Sequence, residues 1–155
     1  MRKSLLFVIM IICGCLAFSG CIKHGTNNTI NPSMSATIGA YTFSASSVVP
    51  SVVDTQTNDT SIALVITGNS SDIIYPWDKI VLTVNDYKGK TGTFSIVMSQ
   101  ASAYYLHSGV QELAIGGIVS ITQITSNSII GYFSFNSPLV TVSNGTFNVG
   151  KPGAL

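Results

Sequence analysis

Side chains able to do covalent or proton chemistry are few in this chain and unevenly placed. Cys13, Cys15 and Cys21 crowd its first residues. A thiolate can act as nucleophile, metal ligand or acyl acceptor, but Cys13 and Cys15 stand at C-x-C spacing with no histidine nearby, a poor metal or redox pair. The two histidines are His24 and His107. His107 closes an expected strand beside Ser108-Gly109, and with no partner in the sequence it is expected to be a solvated or capped group. Serine is abundant, yet no Gly-x-Ser-x-Gly elbow occurs. Gly89-Lys90-Thr91 ends like a phosphate-binding loop, but Val84 stands where the first glycine would be. The segment falls between two strands, so it reads as a β-turn presenting Lys88 and Lys90. The acids are Asp54, Asp59, Asp72, Asp78, Asp86 and Glu112. None has calcium-loop spacing, and most sit where Asx-type turns explain them. Paired carboxylates for glycoside hydrolysis could meet only through folding. We therefore assign no catalytic, cofactor-binding or metal residue, and expect no enzyme activity.

The positive signal is aromatic. Tyr75-Pro76-Trp77-Asp78 is a loop carrying the single tryptophan, and Tyr104-Tyr105 puts adjacent rings on opposite faces of one strand. Tyr75, Trp77, Tyr104 and Tyr105 are the candidate contacts for a sugar ring or a partner protein. The competing expectation, which we favour for Trp77, is that it plugs one end of the core.

Charge excludes more than it suggests. Only 8% of the 155 residues are charged and the formal net charge is +1, which leaves no electrostatic footprint for nucleic acid. From Cys21 onward about a third of the residues are Ser, Thr or Asn, so neutral hydrogen-bonding groups cover surface that charges usually would.

The cysteines gain a meaning from what precedes them. Arg2 and Lys3 open the chain, and residues 5–18 form an unbroken apolar or small run, followed by Ser19-Gly20-Cys21. A positive start, a short apolar stretch and small residues before a cut make a secretory signal peptide, 1–20. The run is short of the ~20 residues that span a bilayer. Leu16-Ala-Phe-Ser-Gly-Cys21 resembles the lipobox of bacterial lipoproteins, with Phe18 where that family most often has an aliphatic residue. The resemblance implies cleavage before Cys21, acylation of its sulfur, and a domain anchored to the lipid bilayer without spanning it. Cys15, after Gly14, is the second candidate, but it lies inside the apolar run. With Cys13 and Cys15 discarded and Cys21 acylated, no thiol remains for a disulfide. No acidic residue follows Cys21 closely, which in such lipoproteins favours the outer membrane, facing the periplasm rather than exposed on the surface.

Residues 21–33, small and polar with Pro32, read as a lipidated flexible tether. The domain 34–155 is β throughout, with strands expected at 35–38, 41–44, 61–67, 79–84, 92–98, 103–107, 112–124, 128–136, 139–143 and 146–149. Ile80, Leu82 and Val84 alternate with Val81 and Thr83; Ile129, Gly131, Phe133 and Phe135 share another face. Pro50 limits residues 47–53 to an edge strand. Val140 and Val142 differ in parity from Phe147 and Val149, and Asn144-Gly145 between them is either a type I′ hairpin turn or a bulge in one long strand. The fold class is all-β, an antiparallel β-sandwich with a β-barrel as the alternative. At this length about two thirds of the unfolded surface can be buried without staples.

The segments 34–45 (MSATIGAYTFSA), 91–96 (TGTFSI), 117–122 (GIVSIT), 131–135 (GYFSF) and 143–149 (SNGTFNV) together resemble small Bacteroidota-type lipoproteins of unknown function. That resemblance implies an all-β domain displayed on a lipid anchor and supplies no ligand and no cofactor. The expected role is a non-enzymatic binding domain for an envelope protein or glycan. The alternative is a self-assembling envelope component, and a hydrolase with an unrecognised site ranks third.

Overall fold

The computed structural model describes residues 30–54 and 62–153. The expected signal peptide 1–20, Cys21 and most of the tether lie outside them. The described chain is all-β, with ten strands in one antiparallel sheet: β1 (Ser33–Ile38), β2 (Tyr41–Asp54), β3 (Ile62–Ser70), β4 (Lys79–Val84), β5 (Gly92–Ser95), β6 (Ala101–His107), β7 (Val110–Leu113), β8 (Gly116–Ile124), β9 (Ser128–Asn136) and β10 (Thr141–Gly150). Their spatial order is β5-β8-β9-β10-β1-β2-β3-β4-β6-β7. The sheet curls into a half-barrel, so its two halves face each other across one core. Leu64, Ile80 and Leu82 from one half and Val119, Phe133 and Phe147 from the other belong to the same core, all essentially inaccessible to water.

The curl is made at β2. Tyr41 to Ser44 pair with β1, whereas Ala45 to Asp54 pair with β3. Between the two, Ser46 is an extra residue, and its Oγ donates to the Ser70 carbonyl at 2.9 Å. Such a bulge bends the strand and reverses which residues face inward: Phe43 is buried before it and Val48 after it. The half containing Pro50 pairs with β3 alone, the local edge position that a residue lacking an N–H tolerates.

The parity change near the C-terminus is a bulge, not a hairpin. β10 runs unbroken from Thr141 to Gly150, and the step from Val142 to Gly145 opposes only Phe135 to Phe133. Asn144 is the surplus residue, in the left-handed region at φ 51°, which Asn tolerates better than most side chains. Val142, Gly145, Phe147 and Val149 thereby all face the core.

Two expectations need correction. The segment 112–124 is two strands, because the chain crosses from one half of the sheet to the other at Ala114-Ile115. There the Ala114 N–H donates to the Ala103 carbonyl and the Ile115 N–H to that of Asn136, at 3.0 and 2.9 Å. Continuous β composition hid the crossing, and Gly116-Gly117 was its only local mark. The strand from Gly92 ends at Ser95, not at residue 98. A turn closed by the Ser99 N–H on the Ile96 carbonyl leaves Val97 and Met98 exposed.

Candidate functional site

Four connections meet at one end of the half-barrel: Gly39-Ala40 after β1, residues 71–78 after β3, Ser108-Gly109 after β6, and residues 137–140 after β9. Strand direction requires this, since antiparallel neighbours return to the same end. The connections border an open cavity of about 540 Å³ lined by Ile38, Ala40, Tyr41, Tyr75, Asp78, Tyr105, His107 and Val140. Ligand pockets commonly enclose ~300–1,000 Å³.

Each polar lining residue has a local reason for its place. The 71–78 loop is tied to β2 by the Ser71 N–H and Oγ, which both donate to the Ser44 carbonyl at 2.8 and 2.9 Å. Within it the Ile74 N–H donates to Asp72 Oδ1 at 2.7 Å, the Asx turn expected of that aspartate. A β-turn from the Asp78 N–H to the Tyr75 carbonyl then delivers Tyr75 and Asp78 to the rim and floor. Ser108 (φ 49°) and Gly109 (φ 84°) are both left-handed and join His107 to Val110 as a two-residue hairpin turn. Register does the rest: Lys79 lies opposite Leu106, so residue 78 falls beside residue 107.

At the floor, Asp78 is 1% exposed. Its Oδ2 accepts from the Tyr105 hydroxyl at 2.5 Å and from His107 Nδ1 at 2.8 Å, and the Ser108 N–H approaches Oδ1 at 3.4 Å. An ionised carboxylate can only accept, so His107 carries a proton on Nδ1, and in the neutral ring Nε2 holds the lone pair. Tyr105 and His107 stand 3.2 Å apart because both donate to the same oxygen. Above them the Tyr75 ring is tilted against His107 with centroids 5.0 Å apart, and Tyr41 meets Tyr75 edge-on at 6.0 Å. Burial, followed by the hydrogen bond to Asp78 and the charge of that carboxylate, pushes the Tyr105 phenol far above its ordinary value. Burial raises Tyr41 as well, with Asp72 and Asp78 adding to it and Ser70 opposing.

His107 keeps much of its ring in solvent, as expected, but its Nδ1 is bonded to Asp78, and Asp78, whose N–H closes the 75–78 turn, turns its carboxylate inward to that bond. The two form a buried-carboxylate pair that sequence reasoning missed, along with Tyr41. Of the four aromatic candidates, Tyr75 and Tyr105 line the cavity. Tyr104 faces the other side of β6, half-buried against its partners Val81 and Leu113. Trp77 is 79% exposed, so it does not plug the core; the turn at 75–78 sends it outward, next to exposed Ile73 and Ile74. Among the described residues no serine or threonine hydroxyl hydrogen-bonds His107. The Asp–His pair has the carboxylate-to-imidazole arrangement that orients the histidine of a catalytic triad.

The Tyr105–Asp78 bond carries a pH prediction. The folded-state phenol titrates above its unfolded value of about 10. Its contribution is intact below that pH and is lost as pH climbs toward the folded value. Tyr105→Phe is expected to lower stability at pH 7 by about 1–3 kcal/mol. Above pH 10 its stability should fall less steeply than wild type, by up to about 1.4 kcal/mol per pH unit. Urea midpoints from pH 7 to 11.5 measure both; identical alkaline slopes would show that Tyr105 is not the group responsible.

Comparison with protein-family models, with curated proteins and with solved structures finds no match to this chain.

Proposed function

We propose that this chain is a bacterial lipoprotein of the small Bacteroidota type. It is anchored through acylated Cys21 in the outer membrane, facing the periplasm, and its β domain is a non-enzymatic binding module for an envelope protein or glycan. One observation carries the binding half of this reading. The cavity and the exposed Ile73, Ile74 and Trp77 lie at the end of the sheet toward which β1 runs, whereas the chain enters β1 at Ser33 at the opposite end. A six-residue strand separates those ends by roughly 20 Å, so a tether attached before Ser33 presents the aromatic end away from its own anchor.

A second reading rests on a different edge. β7 is a four-residue edge strand with Val110 and Leu113 well exposed, and Ile115 follows it. Apolar edges low in charge can pair with another copy, as a self-assembling envelope component would require.

The test uses the intact lipoprotein. A photo-crosslinker replacing Trp77 in living cells is expected to capture an envelope partner, or a glycan screen to find a ligand, with either signal lost in Tyr75→Ala. Capture of the chain by itself, through position 110 and not through position 77, favours assembly. No capture at either position and no glycan bound removes the binding-module reading.

A further inference from the structure

The walls of the cavity select among ligand charges. Its lining contains the carboxylate of Asp78 and no lysine or arginine. Two further carboxylates stand nearby. Asp72 holds the loop that carries Tyr75 and acts on the Tyr41 phenol. Glu112 lies opposite Tyr105 in the β6–β7 pair and accepts from Ser137 Oγ at 3.1 Å. Among the described residues, Lys79 is the one lysine at this end, and strand alternation puts it on the face of β4 opposite Asp78 and Ile80. Lys88, Lys90 and Lys151 lie in the connections at the far end of the sheet. With no lysine or arginine in the lining, an anionic ligand would meet the Asp78 carboxylate and find as its one candidate cation His107, already bonded to that carboxylate at 2.8 Å, so the site favours a cation.

Ring geometry narrows the choice. A sugar face stacks best on a flat aromatic surface. Here successive rings are inclined, Tyr41 to Tyr75 by 82° and Tyr75 to His107 by 55°, with centroids 6.0 and 5.0 Å apart. A cation set in the open angle between such rings can approach more than one ring face within about 6 Å. The hydrogen-bonding capacity of the floor is already engaged, since Asp78 accepts from Tyr105 and His107 and faces the Ser108 N–H. A primary ammonium would exchange water there for the His107 Nε2 lone pair and the phenol oxygens of Tyr41 and Tyr75, none of them anionic. A methylated ammonium needs no such acceptor.

We infer that the cavity binds a methylated ammonium group of the choline type, held among the rings of Tyr41, Tyr75 and His107 above the carboxylate of Asp78. This rests on the binding-module reading and names its ligand chemistry. Choline chloride titrated into the full chain in detergent, at constant ionic strength set with sodium chloride, should shift the His107 and Tyr75 ring resonances saturably. Tyr75→Leu should weaken binding about tenfold, the loss of one cation–π wall. Tyr75 is 39% exposed, so the variant is expected to melt like wild type. Tyr132→Leu, at an exposed tyrosine on β9 outside the cavity, should leave binding unchanged. Saturation by glucose but not by choline overturns the ammonium and leaves the module standing. Tighter binding of N-acetyl-lysine amide than of choline overturns the methylated form. No saturable shift with any of the three overturns the inference, while crosslinking from position 77 judges the module independently.

Discussion

Gly131→Val is expected to destabilise the domain by about 3 kcal/mol or more, the upper end for overpacking a core. Gly131 lies on β9 opposite Phe147 on β10, and the phenyl ring covers the space where a side chain would be. A Cβ at residue 131 would run into Phe147 Cζ and into the backbone oxygen of Ser120 on β8. Neither obstacle is the loose end of a flexible side chain. The oxygen belongs to the neighbouring strand of the same sheet, and Phe147 is 2% exposed and stacked on Phe133 at 6.5 Å. The same device recurs two residues along in reverse, with Phe133 lying over Gly145 and a Cβ there only 2.6 Å from both its ring and its carbonyl oxygen. Two Phe-over-Gly pairs thus lock β9 to β10 in register, each ring covering the backbone its glycine leaves bare. A loss of 3 kcal/mol is a large fraction of the ~5–15 kcal/mol that folded domains hold. It should appear as a large drop in urea midpoint. Gly150→Ala is the control: nothing lies within 4 Å of a Cβ there, and its φ is not in the left-handed region. It should be neutral or slightly stabilising. A Gly131→Val variant as stable as wild type would show that the β9–β10 register differs from the one described.

The second large effect lies outside the described residues. Cys21→Ser is expected to abolish incorporation of labelled fatty acid, leave the precursor uncut before residue 21, and remove lipid anchoring altogether. Each buried methylene contributes about 0.8 kcal/mol of membrane affinity, and stable attachment needs more than one chain. On the proposed assignment Cys21 is the acceptor thiol, so its replacement is expected to remove the anchor all at once, not by degrees. A hydroxyl cannot replace the sulfur, because it is far less nucleophilic at neutral pH. The domain should fold unchanged, since the described core from Met34 to Val149 contains no cysteine. Label that persists in Cys21→Ser and disappears in Cys15→Ser would move the attachment site to Cys15.

Legibility differed between fold and site for a physical reason. Strand alternation is a local property, so Lys79–Val84 and Ser128–Asn136 could be read with their boundaries intact, and Ile80, Leu82, Val84, Phe133 and Phe135 as their buried faces. The crossover at Ala114-Ile115 was not read, because apart from Gly116-Gly117 nothing in Glu-Leu-Ala-Ile-Gly-Gly distinguishes a strand that continues from one that changes partners. Trp77 was misplaced for a related reason. Its size argues for burial, but the hydrogen bond closing the 75–78 turn decides where its Cβ points.

The amino-acid sequence by itself determined the class of this protein, an all-β domain short of charge and rich in Ser, Thr and Asn, and it supplied the N-terminal pattern on which the proposed export and acylation rest. It also narrowed the parity break at Asn144-Gly145 to two alternatives. Only the tertiary structure decided that this break is a bulge, because the choice depends on whether β1 and β9 pair along the whole of β10. Only the tertiary structure brought Asp78 to His107 and Tyr105. Asp78 immediately precedes β4, and Tyr105 and His107 lie on β6, which pairs with β4 in space but is separated from it by β5 in the chain; no periodicity carries information about which strand will lie next to which. The aromatic cavity is a product of strand order and register, and both are settled by how the two halves of the curled sheet close over one core.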